Sequence, residues 1–130
     1  MSATTNTRKI LVVDDDRELV GLIDDTLTED GYRVIVAPDV DSLRVAREQR
    51  PDLILLDLVM PGMDGVEIGQ SLRADRVTAR IPIIAMSASV RLPDLAGAMR
   101  ADACLPKPFE VAQLRDVVAQ WVRRPKTQYS

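Results

Sequence analysis

The chain contains no histidine, and this absence removes several kinds of chemistry at once. Without imidazole there is no histidine general base, no Ser-His-Asp triad and none of the usual zinc sites. The single cysteine, Cys104, excludes an internal disulfide and is typical of a reducing cytosol. We therefore expect a cytoplasmic protein whose function depends on neither histidine nor disulfides.

Long apolar segments and an excess of positive charge are missing as well. No apolar run approaches the roughly 18 residues of a membrane span. Residues Met1 to Thr7 are polar and lack an apolar stretch, so we expect no secretory signal. With 17 basic and 20 acidic residues the net charge is −3, and there is no basic stripe. Such a chain is a poor candidate for direct contact with nucleic acid or with anionic membranes.

Five short apolar runs recur along the 130 residues, of which 46% are apolar and 28% charged. This length and composition predict one globular domain. The runs are rich in valine and isoleucine, and most lack alternation, as expected of parallel strands that are covered on both faces. They are Ile10–Val13, Tyr32–Val36, Leu53–Leu56, Ile81–Met86 and Ala103–Leu105.

Segments with helical spacing separate these runs and follow the last one. Pro93 suits the first turn of the fourth helix, and Gly31 suits the position just after the first. Five strand–helix units predict an open, doubly wound α/β fold, and they are too few for an eightfold barrel. The apolar stripes that define the helices are Leu19, Ile23 and Leu27; Val40, Leu43 and Ala46; Val66 and Leu72; Leu95 and Met99; and Val111, Leu114, Val118 and Trp121.

Polar side chains follow four of the predicted strands where each strand ends: Asp14–Asp16, Asp57, Ser87 and Lys107. The carboxyl ends of parallel strands lie at one edge of the sheet, where open α/β sheets bind ligands. If the second strand lies outside the first, the first and third strands are neighbours there. Asp14, Asp15 and Asp57 then face one crevice.

The charges of these groups favour a metal ion and phosphoryl chemistry. Three carboxylates and Lys107 sum to −2, which one divalent ion balances. Carboxylate ligands suit a hard ion, Mg²⁺ or Mn²⁺. In such a site Asp57 can attack phosphorus, while Lys107 and Ser87 hold the phosphoryl group.

Each of these residues also has a simpler interpretation when it is taken alone. Asp16 can cap the following helix, and Asp57 and Ser87 can be turn residues. Lys107 can be solvated, and Cys104 is most simply a small buried hydrophobe. It is less economical to suppose that groups suited to metal and phosphoryl binding fall at all four strand ends by chance.

At this point the chain resembles the receiver domain of two-component response regulators. The resemblance runs from about Lys9 to about Trp121. It implies a flavodoxin-like (βα)₅ sandwich with sheet order 2-1-3-4-5, a domain at 9–122, an N-terminal tail at 1–8 and a C-terminal tail or linker start at 123–130. The motifs that carry it are Ile10–Asp16, Asp52–Gly65, Pro82–Ala88 and Leu105–Phe109.

The resemblance also assigns roles at the site. Asp57 is the expected phosphoacceptor, Ser87 the switch hydroxyl and Lys107 the phosphoryl-binding lysine, with a cis bond between Lys107 and Pro108. The donor is a histidine kinase or a histidine phosphotransfer protein. The implied ligands of Mg²⁺ (or Mn²⁺) are Asp14, Asp15, Asp57 and the backbone carbonyl of Val59.

The function implied is a signalling phosphoacceptor that catalyses only its own phosphorylation and dephosphorylation. Its output, to an effector protein or an output domain, is expected through the face of the fourth helix, fifth strand and fifth helix. A phosphohydrolase is a second possibility, but Val59 stands where such enzymes carry an acid. A receiver fold that binds partners without phosphotransfer is a third. We expect no DNA-binding or catalytic domain in the residues after Trp121, and the sequence fits a stand-alone receiver or a piece of a longer regulator or hybrid kinase.

Two positions depart from the family pattern. Cys104 replaces the usual tyrosine or phenylalanine three residues before the lysine, which puts aromatic switching in doubt. Arg100 replaces a glycine that ends the fourth helix with positive φ, so we expect strain there or a different helix end.

Overall fold

A computed structural model describes residues 7–123, which form seven strands and five α-helices. The predicted tails at 1–8 and 123–130 lie outside the described residues, apart from 7, 8 and 123. The strands are β1 (Lys9–Val13), β2 (Arg33–Val36), β3 (Leu53–Asp57), β4 (Val59–Met60), β5 (Met63–Asp64), β6 (Ile83–Ser87) and β7 (Ala103–Pro106). The helices are α1 (Arg17–Glu29), α2 (Ser42–Gln49), α3 (Gly65–Ala74), α4 (Leu92–Ala98) and α5 (Val111–Trp121).

Five of the strands form one parallel sheet in the order β2-β1-β3-β6-β7. Counted along the chain within this sheet, the order is 2-1-3-4-5, and the predicted doubly wound fold is confirmed. The sequence did not predict the antiparallel pair of β4 and β5, which are two residues each. Gly62 lies in the turn between them at a φ of 76°, a conformation that favours glycine.

The core has two halves, one on each face of the sheet, because successive strand residues point to opposite faces. Leu11, Ile54 and Ile83 belong to the half that α2, α3 and α4 cover. Ile10 and Leu55 belong to the half that α1 and α5 cover. Within residues 7–123, no helix combines the length and the apolar character needed to cross a bilayer.

The helix ends match the sequence prediction in most places. Asp16 caps α1, since its carboxylate accepts the amides of Glu18 and Leu19. Gly31, just beyond that helix, has a φ of 93°. The prediction for Val40 was wrong: α2 begins at Ser42, and Val40 lies 74% exposed in a short 3₁₀ turn, outside the apolar stripe.

Arg100 adopts the left-handed conformation expected of the glycine it replaces, with a φ of 57°. Its amide donates to the carbonyl of Gly97, and the next amide, of Ala101, donates to Ala96. These two bonds close the last turn of α4. The helix therefore ends in the usual way, at the cost of backbone strain that a non-glycine residue carries there.

Candidate functional site

Strand register brings the four predicted strand ends together. Val13 of β1 pairs with Leu56 of β3, so Asp14 and Asp57, the next residues, are neighbours. On the other side of β3, Ser87 pairs with Pro106. The residue after Pro106 is Lys107, whose amide donates to the carbonyl of Ser87 at 2.9 Å. Asp14, Asp57, Ser87 and Lys107 thus surround one end of β3.

Lys107 bridges the two buried carboxylates. Its Nζ donates to Asp14 Oδ2 at 2.8 Å and to Asp57 Oδ2 at 3.3 Å. The side chains of Asp14 and Asp57 are 0% and 5% exposed, whereas that of Lys107 is 18% exposed. The lysine therefore lies at the mouth of the site, and the carboxylates form its floor.

The other oxygen of each carboxylate accepts a hydrogen bond from a backbone amide of the loop that follows the same strand. Asp14 Oδ1 accepts the amide of Asp16 at 2.9 Å, and Asp57 Oδ1 accepts the amide of Val59 at 3.1 Å. The Val59 amide was not among the predicted site groups. Its backbone geometry, set by the turn into β4, could not be read from composition or spacing.

The site carries more negative charge than positive charge. The pKa of Asp57 is raised, mainly because the carboxyl group is buried and also because of the nearby charge of Asp14. The hydrogen bond from the Val59 amide and the interactions with Lys107 act in the opposite direction and lower this pKa. Burial alone would lower the pKa of Lys107, but its hydrogen bond and charge interaction with Asp14, together with Asp57, raise it overall. Lys107 is therefore held as a cation, while the carboxylates still outnumber it.

The acidic residues fit a divalent ion. Carboxylate oxygens of Asp14, Asp15 and Asp57 all lie within 4.8 Å of one another. Asp14 and Asp57 are buried and Asp15 is exposed, so the group opens toward solvent on one side. An all-oxygen donor set with room for water is what Mg²⁺ prefers. The charge of the three carboxylates and Lys107 is −3 + 1 = −2, which a divalent ion neutralises.

A cleft of about 300 Å³ adjoins the carboxylates and is lined by Asp57, Val59, Ser87, Ala88, Ser89 and Lys107. Ser87 is 1% exposed, and its Oγ accepts the amide of Ser89 at 2.9 Å. The sequence prediction did not include Ser89 at this cleft, although a second hydroxyl two residues beyond Ser87 was visible. The volume accommodates a phosphoryl group together with water.

Gly65, the first residue of α3, lies against the backbone around Asp57. A Cβ at this position would collide with the carbonyl oxygen of Asp57 and with Leu58. The start of α3 therefore packs directly on the backbone that carries Asp57. The predicted cis bond between Lys107 and Pro108 is present.

The interpretation of Cys104 as a buried hydrophobe was wrong. Cys104 lies exposed in β7, which is the last strand in the sheet order and pairs within the sheet only with β6. Partial burial nevertheless raises the pKa of its thiol. A reactive thiol at this position is not favoured.

The fold and site together define a class: a doubly wound α/β domain with a carboxylate-rich cleft at its topological switch point. The sequence matches the response regulator receiver domain over residues 10–119. The DNA-binding response regulator MtrA of Mycobacterium bovis is 37% identical over 123 residues, which cover 92% of this chain and 53% of MtrA.

Two solved structures are similar over nearly the whole chain. The Vibrio cholerae chemotaxis protein CheY4 aligns with a TM-score of 0.82 and 28% identity, covering 89% of this chain and 99% of that one. The receiver domain of the Pseudomonas aeruginosa sensor histidine kinase PA1611, solved with magnesium in its active-site cleft, aligns with a TM-score of 0.79 and 32% identity, covering 88% and 97%.

The chain belongs to the response regulator receiver domain family. The predicted function, a receiver domain of two-component signalling, is confirmed, and the pocket of Asp14, Asp15 and Asp57 fits the phosphoacceptor site of such domains. The chain spans about half the length of the curated relatives it matches.

Proposed function

We propose that Asp57 accepts a phosphoryl group from a phosphohistidine on a histidine kinase or a phosphotransfer protein. A carboxylate oxygen of Asp57 forms a bond to phosphorus as the phosphorus–nitrogen bond of the donor breaks. The leaving imidazole nitrogen keeps the electron pair, and the product is an aspartyl phosphate. The observation that carries this proposal is the position of Asp57, buried on the cleft floor with Lys107 Nζ at 3.3 Å.

The other residues of the site have distinct tasks in this transfer. Lys107 neutralises charge on the phosphoryl oxygens, and Ser87 donates its hydroxyl to one of them. Asp14, Asp15, Asp57 and the carbonyl of Val59 hold the cation, for which we propose Mg²⁺, with Mn²⁺ as an alternative. A bound divalent ion supplies charge neutralisation on the transferring group and on the acidic cluster.

The chain thereby acts as a signalling protein whose own catalysis is limited to gaining and losing this group. A phosphohydrolase is less well supported, because Val59 is an apolar residue, 58% exposed, at the position where that mechanism needs an acid. We place the receiver domain at residues 9–122, with output through the face of α4, β7 and α5 to an effector or output domain. Cytoplasmic location and the lack of direct nucleic acid or membrane contact stay predictions.

The test uses acetyl phosphate as donor and intact mass as readout. We expect one phosphoryl group to be gained with Mg²⁺, none with chelator, and none in Asp57→Asn. Asp116→Asn, which neutralises an exposed aspartate on α5, is the matched control and should label like the wild type. Labelling of Asp57→Asn to the wild-type extent would contradict the proposal. If acetyl phosphate is not accepted, beryllofluoride binding, followed by NMR, decides whether the cleft takes a phosphoryl mimic.

A further inference from the structure

The two ends of α4 are held by different kinds of contact. At its C-terminal end the anchor is Arg73, which lies on α3 with its side chain 10% exposed. Its Nη1 donates to the carbonyls of Ile81 at 2.8 Å and Ala79 at 3.2 Å. Its Nε and Nη2 donate to the carbonyl of Arg100 at 3.1 and 2.8 Å. Its Nη2 also donates to Asp102 Oδ2 at 2.7 Å.

These bonds join three separate parts of the chain at one guanidinium. Asp102 Oδ2 also accepts the amide of Ile83, so the carboxylate ties the start of β6 to the same point. Arg100 presents its carbonyl to Arg73 from the left-handed conformation described above. A planar guanidinium has fixed donor directions, so this arrangement resists both translation and rotation of the segment from Arg100 to Asp102.

Two further contacts from α3 reinforce the same end. The Cα of Gly69 lies so close to the buried Met99 that a Cβ would collide with its side chain. At the next position, Gln70 Nε2 donates to the carbonyl of Ala98 at 3.2 Å. The contacts at positions 69, 70 and 73 thus form one face of α3, which is fastened to the end of α4.

The N-terminal end of α4 is connected to the functional site through two hydroxyls in series. Ser87 Oγ accepts the amide of Ser89, and Ser89 Oγ accepts the amide of Arg91 at 3.0 Å. Arg91 is the N-cap of α4 and gives it no side-chain cap, and Val90 beside it is 97% exposed. The buried contact at this end is made by Leu92, and apolar packing has no fixed direction.

We propose that Arg73 makes the C-terminal end of α4 a fixed pivot, so that phosphorylation moves residues 88–95 and leaves residues 98–102 in place. This inference rests on the proposed function, because the movement begins when the Ser87 hydroxyl turns toward the phosphoryl group. Ser89 then loses the acceptor of its amide, and the turn leading to Arg91 is released. The displaced element is then the start of α4, and this movement does not involve the side chain at position 104.

Amide hydrogen exchange, followed residue by residue by NMR, tests the pivot in the whole chain. Arg73→Lys keeps the charge but loses the planar fork, and Arg115→Lys is the matched control. Arg115 pairs with Glu29 and Asp30 at the end of α1, so its replacement should leave α4 unchanged. Without any ligand, we expect exchange at 98–102 to accelerate on the order of tenfold or more in Arg73→Lys, and to be unchanged in Arg115→Lys.

Beryllofluoride with Mg²⁺ then separates the pivot from the proposed function. In the wild type we expect exchange to change at 57–60, where the mimic binds, and at 88–95, with 98–102 unaffected. In Arg73→Lys the change should spread to 98–102. Two results would overturn the pivot. One is a change of exchange in the wild type that is as large at 98–102 as at 88–95. The other is ligand-free Arg73→Lys whose amides at 98–102 exchange as slowly as those of the wild type. No response at 57–60 contradicts the proposed function itself.

Discussion

Replacing Lys107 with methionine should destabilise the fold strongly, and Mg²⁺ should restore much of the loss. The change removes two charge-assisted hydrogen bonds, of 2.8 and 3.3 Å, and leaves two buried carboxylates without a cation. Removing one partner of a buried ion pair costs about 3–5 kcal/mol. Because Lys107 is partly exposed and water reaches the cleft, we expect about 2–4 kcal/mol at neutral pH in chelator. For a domain of this size that corresponds to a fall in Tm of roughly 10 °C.

The magnesium dependence follows from the charge of the site. Without Lys107 the three carboxylates sum to −3, so a divalent ion is attracted more strongly than by the −2 of the wild type. Each tenfold gain in affinity adds about 1.4 kcal/mol of linked stabilisation at saturating Mg²⁺. Mg²⁺ should therefore stabilise Lys107→Met more than it stabilises the wild type.

Urea unfolding followed by circular dichroism, with chelator and with Mg²⁺, measures both effects. Lys9→Met is the control, because Lys9 Nζ donates to the neutral carbonyl of Gln49 at 3.1 Å. That loss should be about 1 kcal/mol and independent of Mg²⁺. The reasoning is refuted if the two variants are equally stable, or if Mg²⁺ stabilises Lys107→Met no more than the wild type.

Two further predictions concern sterics and thiol chemistry. Gly65→Ala should lower the free energy of unfolding by about 1–3 kcal/mol, because the added Cβ meets the backbone of Asp57. Gly97→Ala, in open space on α4, should raise the free energy of unfolding by up to about 1 kcal/mol. Equal effects of the two substitutions in urea unfolding would exclude the steric cause. Burial raises the pKa of the Cys104 thiol, so iodoacetamide should alkylate it more slowly near pH 8 than it alkylates an unstructured cysteine peptide. The alkylation rate of Cys104 should keep rising with pH after the rate of the peptide has levelled off. A plateau at a lower pH than that of the peptide would contradict this prediction.

The fold was predictable because each strand is a short apolar run and each helix carries its own stripe. The edge at which Asp14, Asp57 and Lys107 meet then followed from the rule that parallel strands end together. The β4–β5 hairpin was not predictable, since two-residue strands have no period to detect. The predicted sheet order already placed the fifth strand at the edge, but the spacing of apolar residues does not show that Cys104 is exposed there.

The Arg73 contacts could not be predicted for a different reason. They join α3, the approach to β6 and the approach to β7, which are separated by up to 29 residues along the chain. No local pattern marks such a meeting point, because an arginine near the end of a helix is equally well explained by solvent and by the helix dipole. Long-range contacts of this kind become visible only once the register of the sheet is known.

Aspartates flank the strands at both edges of the sheet, yet the two edges use them differently. At the amino edge, Asp52 and Asp102 each accept a backbone amide of the adjacent strand, at 2.9 and 2.8 Å, and so cross-link the sheet. At the carboxyl edge, Asp14 and Asp57 accept amides of their own loops, so their second oxygens face Lys107 and the cleft. The amino edge is therefore held by directional bonds from backbone amides to carboxylates, one of which Arg73 also neutralises, while the carboxyl edge keeps a net negative charge that a cation can balance. The proposed phosphoryl transfer and movement lie at the second edge, and the proposed fixed end of α4 lies at the first.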